Sequence, residues 1–528
     1  MKKLFACIVA AVMAATAVPA QSATPRDTLV MAWTFDDIIS LDPAEIFEFS
    51  AAEFAGNTYD RLIGYDPDDV SNIYGKAVES WTISDDGKTF TFKMRPGITF
   101  ASGNPMTAED AVFSLQRGVI LDKSPAFILT QFGFSADNVA EKIRATDDMT
   151  FVLETDQAYA PTLVLYCLTS TLASVVDKKL VMEHEQDGDL GYNWLKTNYA
   201  GSGPFKLGQW KANELLTLER NDNYWGDAPA MRRVIIRHIT ESATQQLLLE
   251  KGDIDIARNL GPDQLASLRR NSDVYLQSGR KGGIYYLGLS QKHEALSNPK
   301  VRQALKYLVD YQGMEETVVR DLMTVHQAFL PIGLLGALEA RPFHLDIGKA
   351  KQLLAEAGYP NGFKVTMDTR SISPIMEMAQ SIQATFAQAG VDLEIIPGDG
   401  GQTLTKYRAR NHDIYIGRWG PDYQDPHTNA DTFARNPDNS DDAQSKPLAW
   451  RNAWDIPEMT EMADAAVLER DPAKRAAMYQ EIQKVHQATS PFVIMYQQTE
   501  VAAIRADTKG FIMGPAFDDN LYHEVMKD

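Results

Sequence analysis

Between Lys364 and Ile396 the chain reads strand, helix, strand, and that order commits its later half to a sheet with parallel strands. KVTMDT (Lys364 to Thr369) has the short, apolar and β-branched character of a strand. Pro374 to Ala389 reads as a helix closed by Gly390, and VDLEII (Val391 to Ile396) as a second strand. A crossover of this kind is almost always right-handed. Ile414 to Trp419 is a further buried strand, preceded by the polar run Lys406 to His412 and stopped by Gly420-Pro421. Two acids, Asp422 and Asp425, follow at once. Ligands of open α/β sheets bind beyond the carboxyl ends of the strands, so Asp422 stands where a ligand would be met. Arg370, directly after the first strand, shares that edge if Asp413 to Trp419 joins the sheet in parallel. One carboxylate and one guanidinium facing a crevice suit a zwitterion; they equally suit pairing with each other, or plain solvation.

The beginning of the chain bears on its compartment. Lys2 and Lys3 precede an apolar run from Leu4 to Val18, and Val18 and Ala20 fit a cleavage site. Residues 1–20 therefore read as a secretory signal peptide cleaved after Ala20, with Ala23 as the alternative. Cys7 has almost no hydrophobic segment ahead of it, which argues against a lipid anchor. Cys167, within the apolar LVLYCLTSTL, is then the single cysteine left, so no internal disulfide is expected and the thiol belongs in a core. Pro161 to Val176 is the remaining run nearest to a membrane span, but it is too short and carries several Ser and Thr. The expectation is a soluble, exported protein. Its net charge of -20 becomes -22 once Lys2 and Lys3 are removed, which argues against nucleic acid and anionic lipid as partners and is read as serving solubility. With 528 residues, 44% of them hydrophobic, the chain has material for two or three domains.

Thr28 to Thr34 (TLVMAWT) reads as a strand, followed by the loop Phe35 to Pro43 and a helical stretch around Ala51 to Leu62. Asp86-Gly87 is a hairpin turn, Thr89 to Arg95 one of its strands, and Pro96-Gly97 its end. Thr107 caps a helix with Asp110 three residues on. Asn298 caps and Pro299 opens another helix; Asp346 caps one that Gly358 stops. The order W-T-I-S-x-D-G-K-T-F-T-F-K-x-R-P-G-I-x-F from Trp81, then G-x-P-x-T-A-E-D-A-V-F-S from Gly103, closely resembles the signature of the dipeptide- and oligopeptide-binding proteins, the extracytoplasmic solute-binding family 5 of ABC transporters. The likeness continues through GSGPFKL (Gly201 to Leu207), RNDNYWGDAP (Arg220 to Pro229), NPKVRQALKYLVD (Asn298 to Asp310), AKQLLAEAGYPNGF (Ala350 to Phe363) and SPFVIMYQQ (Ser490 to Gln498).

The resemblance implies an α/β fold like that of periplasmic binding proteins, with two lobes joined by a hinge and a subdomain inserted in the first. On this chain that means a first lobe over residues 21–279, an insert over roughly 62–200, a second lobe over 280–497, and a return of 498–528 to the first. The crossings fall near Gly279 to Leu287 and Phe492 to Thr499. It also implies a receptor that captures a di- or short peptide, or a similar zwitterion, and delivers it to an ABC permease in the inner membrane. In W-G-P-D-Y-x-D-P the aspartate that takes a peptide's α-ammonium corresponds to Asp422, and the arginine that holds the carboxylate to Arg370 in TRSISP. Trp419, Tyr423 and His427 are similarly placed, and Trp33, Thr34, Phe35 and Asp36 offer contacts from the other lobe. Strand-end packing explains Trp33 and Phe35 equally well. The oligopeptide binders carry an arginine where this chain has Ile416, which favours dipeptides; Arg418 is an addition without an assigned role.

The same family includes receptors for opines, glutathione, oligosaccharides, metal chelates and haem, so membership leaves the ligand open. A periplasmic hydrolase is the reading from another class. The chain has no G-x-S-x-G, H-E-x-x-H or C-x-x-C pattern, and Asn221 to Gly226 begins like a calcium loop but reaches Arg232 where Glu is required. A non-enzymatic monomer without metal or cofactor is expected.

Overall fold

Two long strands carry the architecture. Val274–Leu289 and Phe492–Arg505 run antiparallel, 16 and 14 residues long, through the middle of an eleven-stranded sheet. Their register is continuous from Val274 opposite Arg505 to Arg280 opposite Thr499, and it resumes at Ile284 opposite Gln497. Lys281, Gly282 and Gly283 are thus bulged out against Gln498, and a bulge bends the strand and sharpens its twist. The computed structural model describes residues 24–398, 400–443 and 445–528, so the signal peptide read over residues 1–20 lies outside the described residues.

The sheet grows outward from both sides of this break. Beside Phe492–Arg505 come Ile256–Ala257, Thr28–Trp33, Arg233–His238, Leu215–Arg220 and Phe205–Lys211; beside Val274–Leu289 come Ile414–Trp419, Lys364–Arg370 and Asp392–Gly398. The strand–helix–strand unit has the expected form. Lys364–Arg370 and Asp392–Gly398 are parallel, and Ile375–Gln388 links them. Ile414–Trp419 joins in parallel through Met367 opposite Ile414.

Each half buries both faces of its part of the sheet. Leu29, Met31, Leu218 and Ile504 lie in the core on one face of the first half, with Val30, Leu265 and Ala503 on the other. Leu287, Met367, Ile382 and Ile416 pack on one face of the second half, with Tyr286, Phe433, Tyr479 and Phe492 on the other. A separate four-stranded sheet starts with the hairpin Val78–Ile83 and Thr89–Met94, whose alternating Phe90, Phe92 and Met94 point into its core. The helix Ala108–Leu121 covers it, and the backbone N–H of Thr107 donates to the Asp110 carboxylate at 2.8 Å to start that helix. The chain is thus a two-lobed α/β fold with this smaller unit set beside the first lobe.

The last residues return to the first half, where Phe511, Tyr522 and Val525 are buried. A charged network ties them to the break. The Lys281 ammonium donates to the carbonyls of Gly514 (2.5 Å) and Ala516 (2.9 Å) and to Asn520 Oδ1 (2.7 Å), with Glu500 Oε2 at 3.4 Å. Arg258 bridges Glu500 and Glu53. Lys281 and Glu53 are fully buried, and Arg258 and Glu500 nearly so.

Candidate functional site

A cavity of about 100 Å³ opens where the two halves meet. Five segments wall it. The break supplies Gly282 and Gly283; the loop after Ile414–Trp419 supplies Gly420, Pro421, Asp422 and Gln424. The first half contributes Ile46 to Phe49 with Ala52, the four-stranded unit contributes Pro125, Ile128 and Ser170 to Leu172, and the returning C-terminal segment contributes Pro515 to Asp518. The Lys281 network is what holds that last wall in place.

Asp422 is the carboxylate the strand-end argument singles out, and it lines the cavity. The Thr428 hydroxyl orients it, accepting from the Asp422 N–H at 3.1 Å and donating to Oδ2 at 3.3 Å. Among the described residues no cation pairs with it. Its side chain is half-buried at the cavity wall, and desolvation by the surrounding protein pushes the carboxyl up to about 7. Asp425, three residues on, has a different task. It caps the helix Pro426–Phe433 through the His427 N–H at 2.9 Å and grips the Arg475 guanidinium with both oxygens, at 2.5 and 2.7 Å, fully buried.

Arg370 and Asp422 do not meet at the cavity. Arg370 is exposed at the end of its strand, its guanidinium against the backbone of Gly400, and it does not line the cavity. The strand order explains why: Ile414–Trp419 stands between Lys364–Arg370 and the long central strands, so a shared sheet edge is not a shared crevice. Arg418 is closer to the cavity. Its guanidinium lies 4.2 Å over the Phe49 ring and 5.7 Å from that of Phe517, both of which line the cavity, and donates to Gln498 Oε1 at 3.3 Å.

The other residues expected at the site lie elsewhere. Trp33 and Phe35 are buried in the first half, Trp33 beneath the Arg258 guanidinium at 4.2 Å and Phe35 edge-on to His238 at 5.1 Å. The Thr34 N–H donates to Asn259 Oδ1 at 2.6 Å, and Asp36 is exposed. Trp419 stands perpendicular to Phe433, and His427 is buried in the second half, where desolvation lowers its pKa. Tyr423 crosses between the halves. Its ring is buried in the core of the four-stranded unit and its hydroxyl donates to Gln131 Oε1 at 3.4 Å.

Sequence reasoning missed Glu48, Phe49, Gln424, Phe517 and the glycine pair. Adjacent glycines inside a strand-like run are a readable sign of a bulge, and Gly282-Gly283 carries it. Nothing local marks Ile46 to Phe49 or Pro515 to Asp518, which come from opposite ends of the chain. Glu48 lines the cavity without a cationic partner among the described residues; its carboxylate accepts from the N–H of Phe47 at 3.3 Å. Burial raises its carboxyl above the usual range, and Asp37 and Glu45 add to the rise.

Comparison with known proteins agrees with this architecture. The chain is 29% identical over 523 residues to the probable D,D-dipeptide-binding periplasmic protein DdpA of Escherichia coli K12, covering 97% of this chain and 96% of that one. Among solved structures it matches the periplasmic binding protein DppA of Helicobacter pylori in complex with the peptide STSA, with a TM-score of 0.80, 24% identity, and 95% and 98% of the two chains covered. It also matches MoaA of A. tumefaciens R10 in complex with mannopinic acid, with a TM-score of 0.80, 22% identity, and 96% and 100% covered. The profile of the bacterial extracellular solute-binding proteins, family 5, matches residues 72–441, and the chain belongs to that family.

Proposed function

We propose that this protein is the receptor of an ABC importer, that it takes a dipeptide, a short peptide or another amino-acid-derived zwitterion between its lobes, and that it hands the solute to a permease in the inner membrane. One observation carries the ligand class: Asp422, a carboxylate with no cation to balance it among the described residues, faces a cavity between two lobes. An α-ammonium group is the charge it lacks. The DdpA and DppA likenesses support a peptide; the MoaA likeness keeps an opine-like ligand as the second reading.

In this reading the chain is exported by its first 20 residues and acts as a monomer in the periplasm. The lobes are residues 21–279 with 498–528, and residues 280–497, with the insert over roughly 62–200. The break at Lys281 to Gly283 and Gln498 is the hinge. Closing excludes water from the ligand and strengthens its pairing with Asp422. No reaction is assigned to the site. Cys167 is fully buried and burial raises its thiol well above the usual range.

The test is mass spectrometry of whatever small molecule leaves the purified, exported protein on denaturation. An intact dipeptide or short peptide, near one per chain, is the expected result. An opine, sugar or metal chelate would keep the receptor and overturn the peptide reading, and cleaved peptide fragments accumulating on incubation would overturn the receptor reading.

A further inference from the structure

The charges around the cavity do not balance. Three carboxylates line it, and Arg61 neutralises Asp518 at 2.7 Å. Asp422 from one half and Glu48 from the other have no cationic partner among the described residues, and no lysine or arginine is among the lining residues. The guanidinium that adjoins the cavity with no carboxylate partner among the described residues is Arg418, stacked behind Phe49.

We infer that the solute of this site carries two cationic groups and one carboxylate, as in a dipeptide with a basic side chain: one ammonium for Asp422, the second cation for Glu48, and the carboxylate for Arg418. The inference rests on the proposed receptor function and narrows its ligand. Both free carboxylates are only partly buried, so water entering the cavity reaches them. A ligand that displaces this water must replace it with hydrogen-bond donors, and a neutral zwitterion would leave Glu48 desolvated and unpaired. The rings of Phe49 and Phe517 offer the aliphatic stem of a lysine or arginine an apolar surface. Arg418 also fills the place that Arg370 does not, because it stands at the end of the strand that runs into the Asp422 loop.

Titration calorimetry of the mature protein, stripped of ligand by unfolding and refolding, tests this with Ala-Ala, Lys-Ala, Ala-Lys and Ala-Glu. At least one basic dipeptide should bind about tenfold tighter than Ala-Ala, and Ala-Glu should bind most weakly. Glu48→Gln should bring the ratio between basic and neutral dipeptides near one, while Glu79→Gln, an exposed acid in the four-stranded unit, should leave the ratio as it was. The Glu48 side chain makes no cap bond to the helix that follows, so this variant keeps the fold. Amidating the basic dipeptide should weaken binding to the natural protein, and Arg418→Met should abolish that difference. Dipeptides bound without preference for the basic ones, or a preference that survives Glu48→Gln, would overturn the inference alone. Failure of every dipeptide to bind would overturn the peptide reading beneath it as well.

Discussion

In the proposed receptor, function and stability pull Asp422 in opposite directions. Its folded pKa is raised to about 7 by desolvation, so the fold prefers the protonated form. The contribution to stability is therefore favourable below the ordinary carboxylate range, is lost as pH rises toward about 7, and is a cost at neutral pH. Asp422→Asn should raise the unfolding midpoint of the unliganded protein at pH 7.5, by an amount equivalent to about 1 to 4 kcal/mol. The same change should cost about 2 to 5 kcal/mol of ligand binding, because a ligand ammonium is left unpaired in a closed site. Calorimetry of the two properties checks this; a destabilised variant that binds normally would remove Asp422 from the site. The pH dependence follows from the same sign. A ligand ammonium needs the ionised form, so affinity should fall by up to about tenfold per pH unit below about 7, and binding near pH 6 should release a proton. Titrations in buffers of different ionisation enthalpy would detect that proton.

Among the elements, the returning C-terminal segment depends on buried charge. Glu500 lies on one long strand and Lys281 on the other, and against the desolvation of burial Arg258 and Lys281 hold the Glu500 carboxyl down at about 2. Its stabilising contribution is present above the ordinary carboxylate range and is lost as pH falls toward about 2. Glu500→Gln leaves Lys281 and Arg258 short of negative charge and should cost about 3 to 5 kcal/mol, read as a lowered denaturation midpoint. Elements of this kind divide what the sequence can tell from what it cannot. The strand–helix–strand unit, the Asp86-Gly87 hairpin and the helices opened by Asn298-Pro299 and Asp346 are all readable, because period, turn chemistry and caps act within a few residues. The position of Asp422 is readable for the same reason, as the end of one buried strand. The order of strands in the sheet is not local, and it sends Arg370 to the exposed side and brings Arg418 toward the cavity. Trp33 ends and Phe35 follows a correctly read strand, but that strand runs into the core. Glu48 and Phe517 reach the cavity only once both chain ends have packed against the break.

Across the cleft of the whole molecule, Tyr423 and Val467 of the second half enter the core of the four-stranded unit and Arg418 lies over Phe49, while three of the hydrogen bonds there are long. The Ala160 N–H reaches the Val467 carbonyl, the Tyr423 hydroxyl reaches Gln131 and Arg475 reaches Thr162, each at 3.4 Å, longer than good hydrogen bonds of their kinds. A ligand can shift the balance between open and closed forms only by the difference in its affinity for the two states. Gly282 gives a way to tilt that balance without touching the ligand's charged partners. A methyl group there would lie 2.7 Å from Pro421 Cδ and 2.9 Å from its Cγ, too close for the rigid ring to accept, while the backbone of Gly282 needs no positive φ. The loop bearing Asp422 would have to retreat from the break, which the open form tolerates better than the closed one. Gly282→Ala should therefore cost about 1 to 3 kcal/mol of binding, a fall of roughly 5- to 150-fold in affinity, with unchanged stoichiometry. Small-angle scattering at saturating ligand should match the closed natural protein, and at equal subsaturating ligand the variant should stay more open. Unchanged affinity would mean that Pro421 yields to the added methyl and that the break and the ligand loop move independently.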